Sequence, residues 1–421
     1  MVKKCSVVKA TTQAKLRWVV GVAIAALLIL QLHQLADVSP APSSFLLNQT
    51  QNKSNDNLTL GPEASNASNH QVLDANASLV TDSPFALSSN VQAVQAVTSM
   101  LPGWMQEYIE FHRNSIQDLN ETNWQSKRYL IVSCYNHRHC GGTADRLQPI
   151  PLYLLLAARS KRIIYVRWNS PYALEEFMLP VTINWTVPEW FGTILNNNTG
   201  IITNAGKSTK IKIAVENEKS TVVVAKMQEG SGEKLYATLT GDHSYESDYH
   251  YIFRAFFQPS PPIAKIVSEY FTKKGLTPGE YAVAHQRATY AKKSRQVSRD
   301  FITADAINAV NCASTLMPGS PVVFASDTEY GAVAISNYSA SYSRTILTMD
   351  HSSEKPVHLA LGRGPVSLHY PTFVDLWIMG SGRCVAYGKG GFGLWALFIG
   401  YNSSCRHNYL IQPNCTWADA Q

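Results

Sequence analysis

Three short apolar runs, Tyr281–His285 (YAVAH), Pro321–Ala325 (PVVFA) and Arg383–Tyr387 (RCVAY), are each followed by a stretch that can be helical. Runs this short, with no polar alternation, fit strands buried on both faces. The residues between them are too many for hairpin turns, so successive strands are joined by crossovers and the sheet is parallel. The rest of this half keeps the rhythm. Helices are expected over 301–317, 328–338, 371–379 and 392–400, with a further strand over 344–349. The same rhythm occurs earlier. Lys127–Cys134 (KRYLIVSC) reads as a strand, 135–146 as a Gly-containing loop, 147–161 as a helix that Pro149 and Pro151 confine to positions after its first turn, and Arg162–Trp168 as a second strand. Residues 192–260 are less regular, although IKIAVENEK (211–219) and STVVVAK (220–226) read as strands. Pro259, Pro261 and Pro262 mark a break. The expected fold is therefore α/β with two Rossmann-like lobes, 101–260 and 261–421.

The N-terminus carries a different signal. Trp18–Leu30 holds no charge, and counted to Ala36 the segment is 19 residues long. As a helix it would span about 28 Å, close to the thickness of a bilayer core. Lys3, Lys4, Lys9, Lys15 and Arg17 precede it. The positive-inside rule then makes 1–17 a cytosolic tail, 18–36 a transmembrane signal-anchor, and the remainder lumenal. A cleavable signal peptide is the competing reading. Residues 37–100 are rich in Ser, Asn, Ala, Gln and Thr and contain five N-x-[ST] sequons between Asn48 and Asn76, the composition of a disordered, glycosylated stem. The expectation is a single-pass type II protein of the Golgi membrane.

The net charge is +6, and five of the positive charges lie in that short tail. The body is close to neutral, which argues against nucleic acid as a partner. Cys134, Cys140, Cys312, Cys384, Cys405 and Cys415 would face an oxidising lumen and allow three disulfides. Cys134–Cys140 and Cys405–Cys415 are the attractive local pairs.

Four segments at strand-to-helix junctions could carry chemistry. In Cys140–Leu147 (CGGTADRL), Gly141 and Gly142 allow close approach of a ligand to the backbone, and Asp145 and Arg146 put charge at a helix start. In His285–Tyr290 (HQRATY), Arg287 can grip a diphosphate with two donors, and His285 can donate a hydrogen bond or pack as core. In Phe324–Tyr330 (FASDTEY), Ser326 and Asp327 can cap a helix or bind a ribose or base, and Asp327 with Glu329 forms D-x-E. In Gly388–Ala396 (GKGGFGLWA), backbone N–H groups can cradle phosphate. The chain holds no D-x-D.

The ordered set GGTADRL, AHQRATY, VVFASD and DLWIMGSGRCVAYGKGGFG, over roughly 130–400, resembles the GDP-fucose-dependent fucosyltransferase superfamily, which includes α1,6-, plant α1,2- and protein O-fucosyltransferases. The resemblance implies a GT-B-like arrangement, with the acceptor on the first lobe and the nucleotide sugar on the second. It implies inverting, metal-independent transfer of fucose from GDP-fucose, without a cofactor, to a glycan or glycoprotein acceptor. By position, Arg287 would contact the β-phosphate and His285 would support the nucleotide. Ser326 and Asp327 would lie near the base or ribose, Gly391 and Phe392 would line the phosphate pocket, and Gly141, Gly142 and Arg146 would edge the cleft. Ala288, Thr289 and Tyr290 stand where many relatives place an Asp, and Gly390 and Gly391 where many have Ser or Thr. Asp145, Glu175 and Glu176 are candidate bases for the acceptor hydroxyl. A non-catalytic carbohydrate-binding protein, or a metal-dependent transferase using Asp327 and Glu329, are the alternatives.

Overall fold

The computed structural model describes residues 91–135, 140–197, 202–204, 212, 215–216, 219–226, 232–241, 243–288, 298–339, 345–349, 359, 364–400, 405–412 and 415, all within one compact unit, Ala75–Gln421. The expected cytosolic tail, the 18–36 span and the stem sequons lie outside the described residues. Among the described residues no helix is long and apolar enough to cross a membrane.

The first parallel sheet has the order β2-β1-β5-β4, built from β1 (Tyr129–Cys134), β2 (Ile163–Trp168), β4 (Ile202–Asn204) and β5 (Val222–Lys226). Strand β1 is central, buried along its whole length, and pairs Tyr129 with Ile163 on one side and with Val222 on the other. A second parallel sheet has the order β11-β10-β7-β8-β9, from β7 (Ala282–Gln286), β8 (Val322–Ser326), β9 (Ile346–Thr348), β10 (Cys384–Tyr387) and β11 (Arg406–Asn408). Strand β7 is central and wholly buried. The chain leaves β7 for β8 and β9 on one side, then returns to lay β10 and β11 on the other. That makes the β7/β10 boundary a topological switch point, where a crevice opens beyond the strand ends. A small antiparallel pair joins β3 (Met178–Pro180), which falls between β2 and β4 in sequence, to β6 (Phe257–Pro259), which falls between the two sheets.

The helices in chain order are α1 (Val91–Ser99), α2 (Gly103–Ile116), α3 (Thr143–Leu147), α4 (Ile150–Ser160), α5 (Glu189–Asn197), α6 (Glu233–Thr240), α7 (Tyr245–Phe256), α8 (Pro261–Lys274), α9 (Arg299–Leu316), α10 (Glu329–Ser339), α11 (Tyr370–Gly380) and α12 (Phe392–Gly400). One apolar cluster takes side chains from both sheets, including Leu130, Val223, Val283 and Val385. Helix α12 follows the last central strand yet packs on α7, with the Trp395 ring 5.0 Å from Tyr249 and 6.0 Å from Tyr245.

Three expectations are corrected. Within 211–219, Lys212, Val215 and Glu216 are helical rather than extended. Lys212 reaches Glu216 one turn on at 2.5 Å, and Arg159 meets the same carboxylate at 3.1 Å, a charge pattern that favours a helix. Helix α1 lies inside the segment read as stem, with Val94 and Val97 partly buried one turn apart and Val97 against the core. The disulfides are Cys134–Cys140, Cys312–Cys415 and Cys384–Cys405, so Cys405 does not pair with Cys415. Sequence proximity misled there. Val385 N–H bonds the Cys405 carbonyl at 3.0 Å, and this pairing of β10 with β11 sets Cys405 beside Cys384, their Cα atoms 4.7 Å apart.

Arg162 ties the first sheet to its surroundings. It is fully buried and donates to the carbonyls of Val215 (3.1 Å), Ser220 (3.1 Å) and Tyr129 (3.2 Å). Its own carbonyl accepts from Tyr108 at 2.8 Å. Replacing Arg162 by Met leaves those carbonyls without their charged donor. Stability should fall by about 3 kcal/mol, the scale of a broken buried network, read from the shift of the urea unfolding midpoint.

Candidate functional site

The four sequence segments stand at strand exits of the two sheets: 140–142 between β1 and α3, Arg287 directly after β7, Asp327 between β8 and α10, and 388–391 between β10 and α12. They converge. A Cβ added at Gly390 would lie 3.1 Å from Arg287 Cδ, one at Gly391 would lie 3.8 Å from Ala144 Cβ, and one at Gly393 would lie 2.7 Å from His285 Nδ1. The glycines thus let the β10–α12 turn lie against Arg287, His285 and the first sheet's loop together. Gly390 is also held at φ +86°, which disfavours a side chain. Phe392 closes the group with its ring 5.7 Å from that of His285.

His285 and Arg287 belong to different environments. The imidazole is buried, and burial pushes its pKa down to about 4, opposed by the charge of Asp327 and reinforced by that of Arg287. At neutral pH it is uncharged. Arg287 is half-buried at the crevice edge. Asp327 does not stand open beside it: its Oδ1 accepts from Ala288 N–H at 2.7 Å, which fixes the backbone just past the arginine. Ser326 donates to Gln286 Oε1 at 3.0 Å and accepts from Thr328 N–H at 3.2 Å, so it serves the frame. Glu329 is exposed in the first turn of α10.

On the facing loop, Asp145 accepts from Gly142 N–H at 2.7 Å and packs against Gly141, which sits at φ +75°. Arg146 is buried. Its Nε donates to Gly141 O at 3.1 Å, its Nη1 donates to Ser170 O, and its guanidinium lies 4.5 Å over the Trp168 ring. Burial lowers its pKa to about 10, against the pull of Asp145. Arg146 therefore clasps the 141–142 turn to the segment leaving β2. Gly141 and Gly142 remain half-exposed.

Sequence reasoning missed several residues that hold this geometry. Gln286 is fully buried and bridges Ile302 O (2.7 Å), Asp305 (3.0 Å) and Ser326. It sits inside the quoted HQR run, where its neighbours drew attention instead. Tyr409 donates to His285 O at 3.3 Å and approaches Gly388, where an added Cβ would be 2.5 Å from its hydroxyl. Nothing local in the sequence marks Tyr409 or Asp305.

This constellation offers a half-buried guanidinium, a neutral imidazole and the N-terminus of a nine-residue helix around one crevice, a setting suited to an anion. Among solved structures, the chain is similar to a mutant of Arabidopsis thaliana FUT1 in complex with GDP, with a TM-score of 0.50 and 11% sequence identity, over 71% of this chain and 78% of that one. At that identity the likeness is one of fold. No protein-family model and no curated protein matches the chain.

Two outcomes follow from the geometry. The unfolded chain binds protons at histidine below about pH 6.5, whereas folded His285 does so only near 4. Stability should therefore fall as pH drops through that window, by up to roughly 3 kcal/mol for this group, and His285→Asn should flatten the slope in urea unfolding at pH 7 and 4.5. Asp327→Ala should speed hydrogen exchange of the Ala288 amide about tenfold or more, the worth of one charge-assisted bond.

Proposed function

We propose that the chain is a glycosyltransferase that takes a GDP-sugar, most simply GDP-fucose, and transfers the sugar with inversion and without a metal ion to a glycan or glycoprotein acceptor. The observation that carries this reading is Arg287 at the switch point of the second sheet, packed against Gly390 and facing the β10–α12 turn. The family resemblance of the four motifs and the GDP held by the solved structure of like fold support it.

Breaking the bond between the sugar and the diphosphate leaves negative charge on the departing oxygen. In this reading Arg287 and the N–H groups of the Gly390–Phe392 turn meet that charge as it develops, in a fixed and partly water-excluded setting. His285, kept neutral, packs beside them and adds a donor without competing charge. Asp327 holds the Ala288 backbone, which fixes where Arg287 leaves the strand. The second lobe takes the nucleotide sugar, and the first presents the acceptor across the Gly141–Gly142 edge. The N-terminal apolar span and the sequon-rich stem fit a lumenal enzyme of the Golgi membrane.

A fragment covering 91–421 should bind GDP and release it from GDP-fucose. Arg287→Ala should lower turnover by roughly two to three orders of magnitude, the scale for one aimed donor. Chelation with EDTA should leave the rate unchanged, and loss of activity that manganese restores would contradict the metal-free design. Binding of glycans with no response to GDP would make the protein a lectin instead.

A further inference from the structure

Inverting transfer also needs a group to take the proton of the attacking hydroxyl. The sequence left three carboxylates open, and the structure separates them. Asp145 is engaged with Gly142 N–H at 2.7 Å. Glu176 is exposed. Glu175 is half-buried on the single 3-10 turn Leu174–Glu176.

That turn is fixed from several directions. Leu174 and Phe177, which bracket it, are both fully buried. The Phe177 ring stacks on Phe373 of α11 at 4.2 Å with 5° between planes. Ser260 Oγ donates to Glu176 O at 2.8 Å, and Ser260 N–H donates to Phe177 O at 3.0 Å. Upstream, Arg146 holds Ser170 O and so links the segment to the loop that meets Gly391. A second feature points to a ligand. His369, at the start of α11, is fully buried, and neither ring nitrogen has a hydrogen-bond partner. Its ring lies 5.6 Å from Tyr172 and 6.3 Å from Phe177, against the same turn. Buried polar nitrogens left unpaired are costly and uncommon outside functional sites. Tyr172 and Tyr370, both half-exposed, flank this histidine. Aromatic faces with a few placed polar groups are the lining of a small-molecule pocket.

We infer that the acceptor is bound at the junction of the 170–177 segment and the start of α11, and that Glu175 is the general base that takes the acceptor's proton. This rests on the donor reading above. The acceptor oxygen bonds to C1 of the sugar, the C1–O bond to the diphosphate breaks with its electron pair leaving on the diphosphate, and the hydroxyl proton passes to the Glu175 carboxylate. His369 supplies the neutral partner for the acceptor's polar atoms. Burial raises the Glu175 pKa and the neighbouring Glu176 raises it further, against its own backbone N–H, which makes it a better proton acceptor than an exposed carboxylate. The other groups facing the turn are Arg146, whose charge with burial keeps His369 neutral, and Tyr370, whose hydroxyl is held protonated by burial and by Glu176.

The test uses the full chain in detergent micelles, GDP titration by calorimetry, and GDP release from GDP-fucose with water alone and with a set of galactose- and N-acetylglucosamine-terminated oligosaccharides. Glu175→Gln should keep GDP affinity within about twofold and lose about 100-fold or more in release rate, with the acidic limb of its pH profile gone. Glu175→Ala should regain activity in formate, which a purely structural role would not allow. Glu176→Gln should keep the release rate at neutral pH within a few fold and move the acidic limb to lower pH, because it removes a charge that raises the Glu175 pKa. GDP bound normally with an unchanged Glu175→Gln rate, an equal loss at Glu176, or no rescue by formate overturns the assignment while leaving the donor site intact. A parent chain that neither binds nor releases GDP removes the donor reading and this one with it.

Discussion

The contact between Ala144 and Gly391 is where the two parallel sheets share a site. One residue lies in the first turn of the helix after the central strand of the first sheet, and the other ends the turn after β10 of the second. Each sheet alone would offer strand exits with glycines and a few polar side chains, an ordinary feature of α/β folds. Brought so close that a methyl group on Gly391 would touch Ala144, the two sets of exits form opposite walls of one crevice. Glycine is what permits it. At 391 an added Cβ would already meet Trp395 at 3.1 Å, and at 393 it would strike the His285 ring. Helix α12 then fastens the arrangement by crossing to α7 through Trp395, so the crevice wall is also a structural strut.

Buried charge gives the crevice its rigidity. Arg146 and Arg162 are both nearly without solvent exposure, and each spends its guanidinium on backbone carbonyls. Carbonyls at a loop or sheet edge usually turn to water. Drawn inward to a buried cation, they fix the path of the chain around it, and the cost of leaving either partner unpaired resists any alternative path. The two arginines differ in what they hold. Arg162 locks the start of β2 against the segment that precedes β5, remote from the strand exits. Arg146 spans the 141 turn and Ser170, so it governs the wall facing the second sheet. The motif reading puts Arg146 at the edge of the cleft, and these backbone hydrogen bonds give it a framing role as well.

The parallel α/β architecture was legible because buried parallel strands announce themselves. YAVAH, PVVFA and RCVAY become β7, β8 and β10 with ends displaced by at most one residue, and the intervening helices fall where spacing puts them. Legibility failed where partners are distant in sequence. Cys312 and Cys415 are 103 residues apart, and only the stacking of α9 under the second sheet brings them together. Helix α7 was visible in principle, since Tyr245, Tyr249, Ile252, Phe253 and Phe256 repeat at helical spacing and are buried, but its aromatic richness mimics a strand. Arg287 could be found from its place at a strand end. Gln286, Tyr409 and Asp305 could not, because their value lies in pairings such as Gln286 with Ile302 O that no local pattern encodes.

The crevice also divides charge in a way that bears on its chemistry. Its second-sheet wall presents Arg287 and a helix N-terminus, with the nearby imidazole held neutral and Asp327 already committed to a backbone N–H. The first-sheet wall commits Asp145 and Arg146 to the frame. In the proposed transfer an anion leaves on one side of the crevice and a proton on the other, and a wall bearing a guanidinium and a helix N-terminus suits the first of these. On the first-sheet wall the buried cation is held by the Gly141 and Ser170 carbonyls, so its charge shapes the backbone around the crevice.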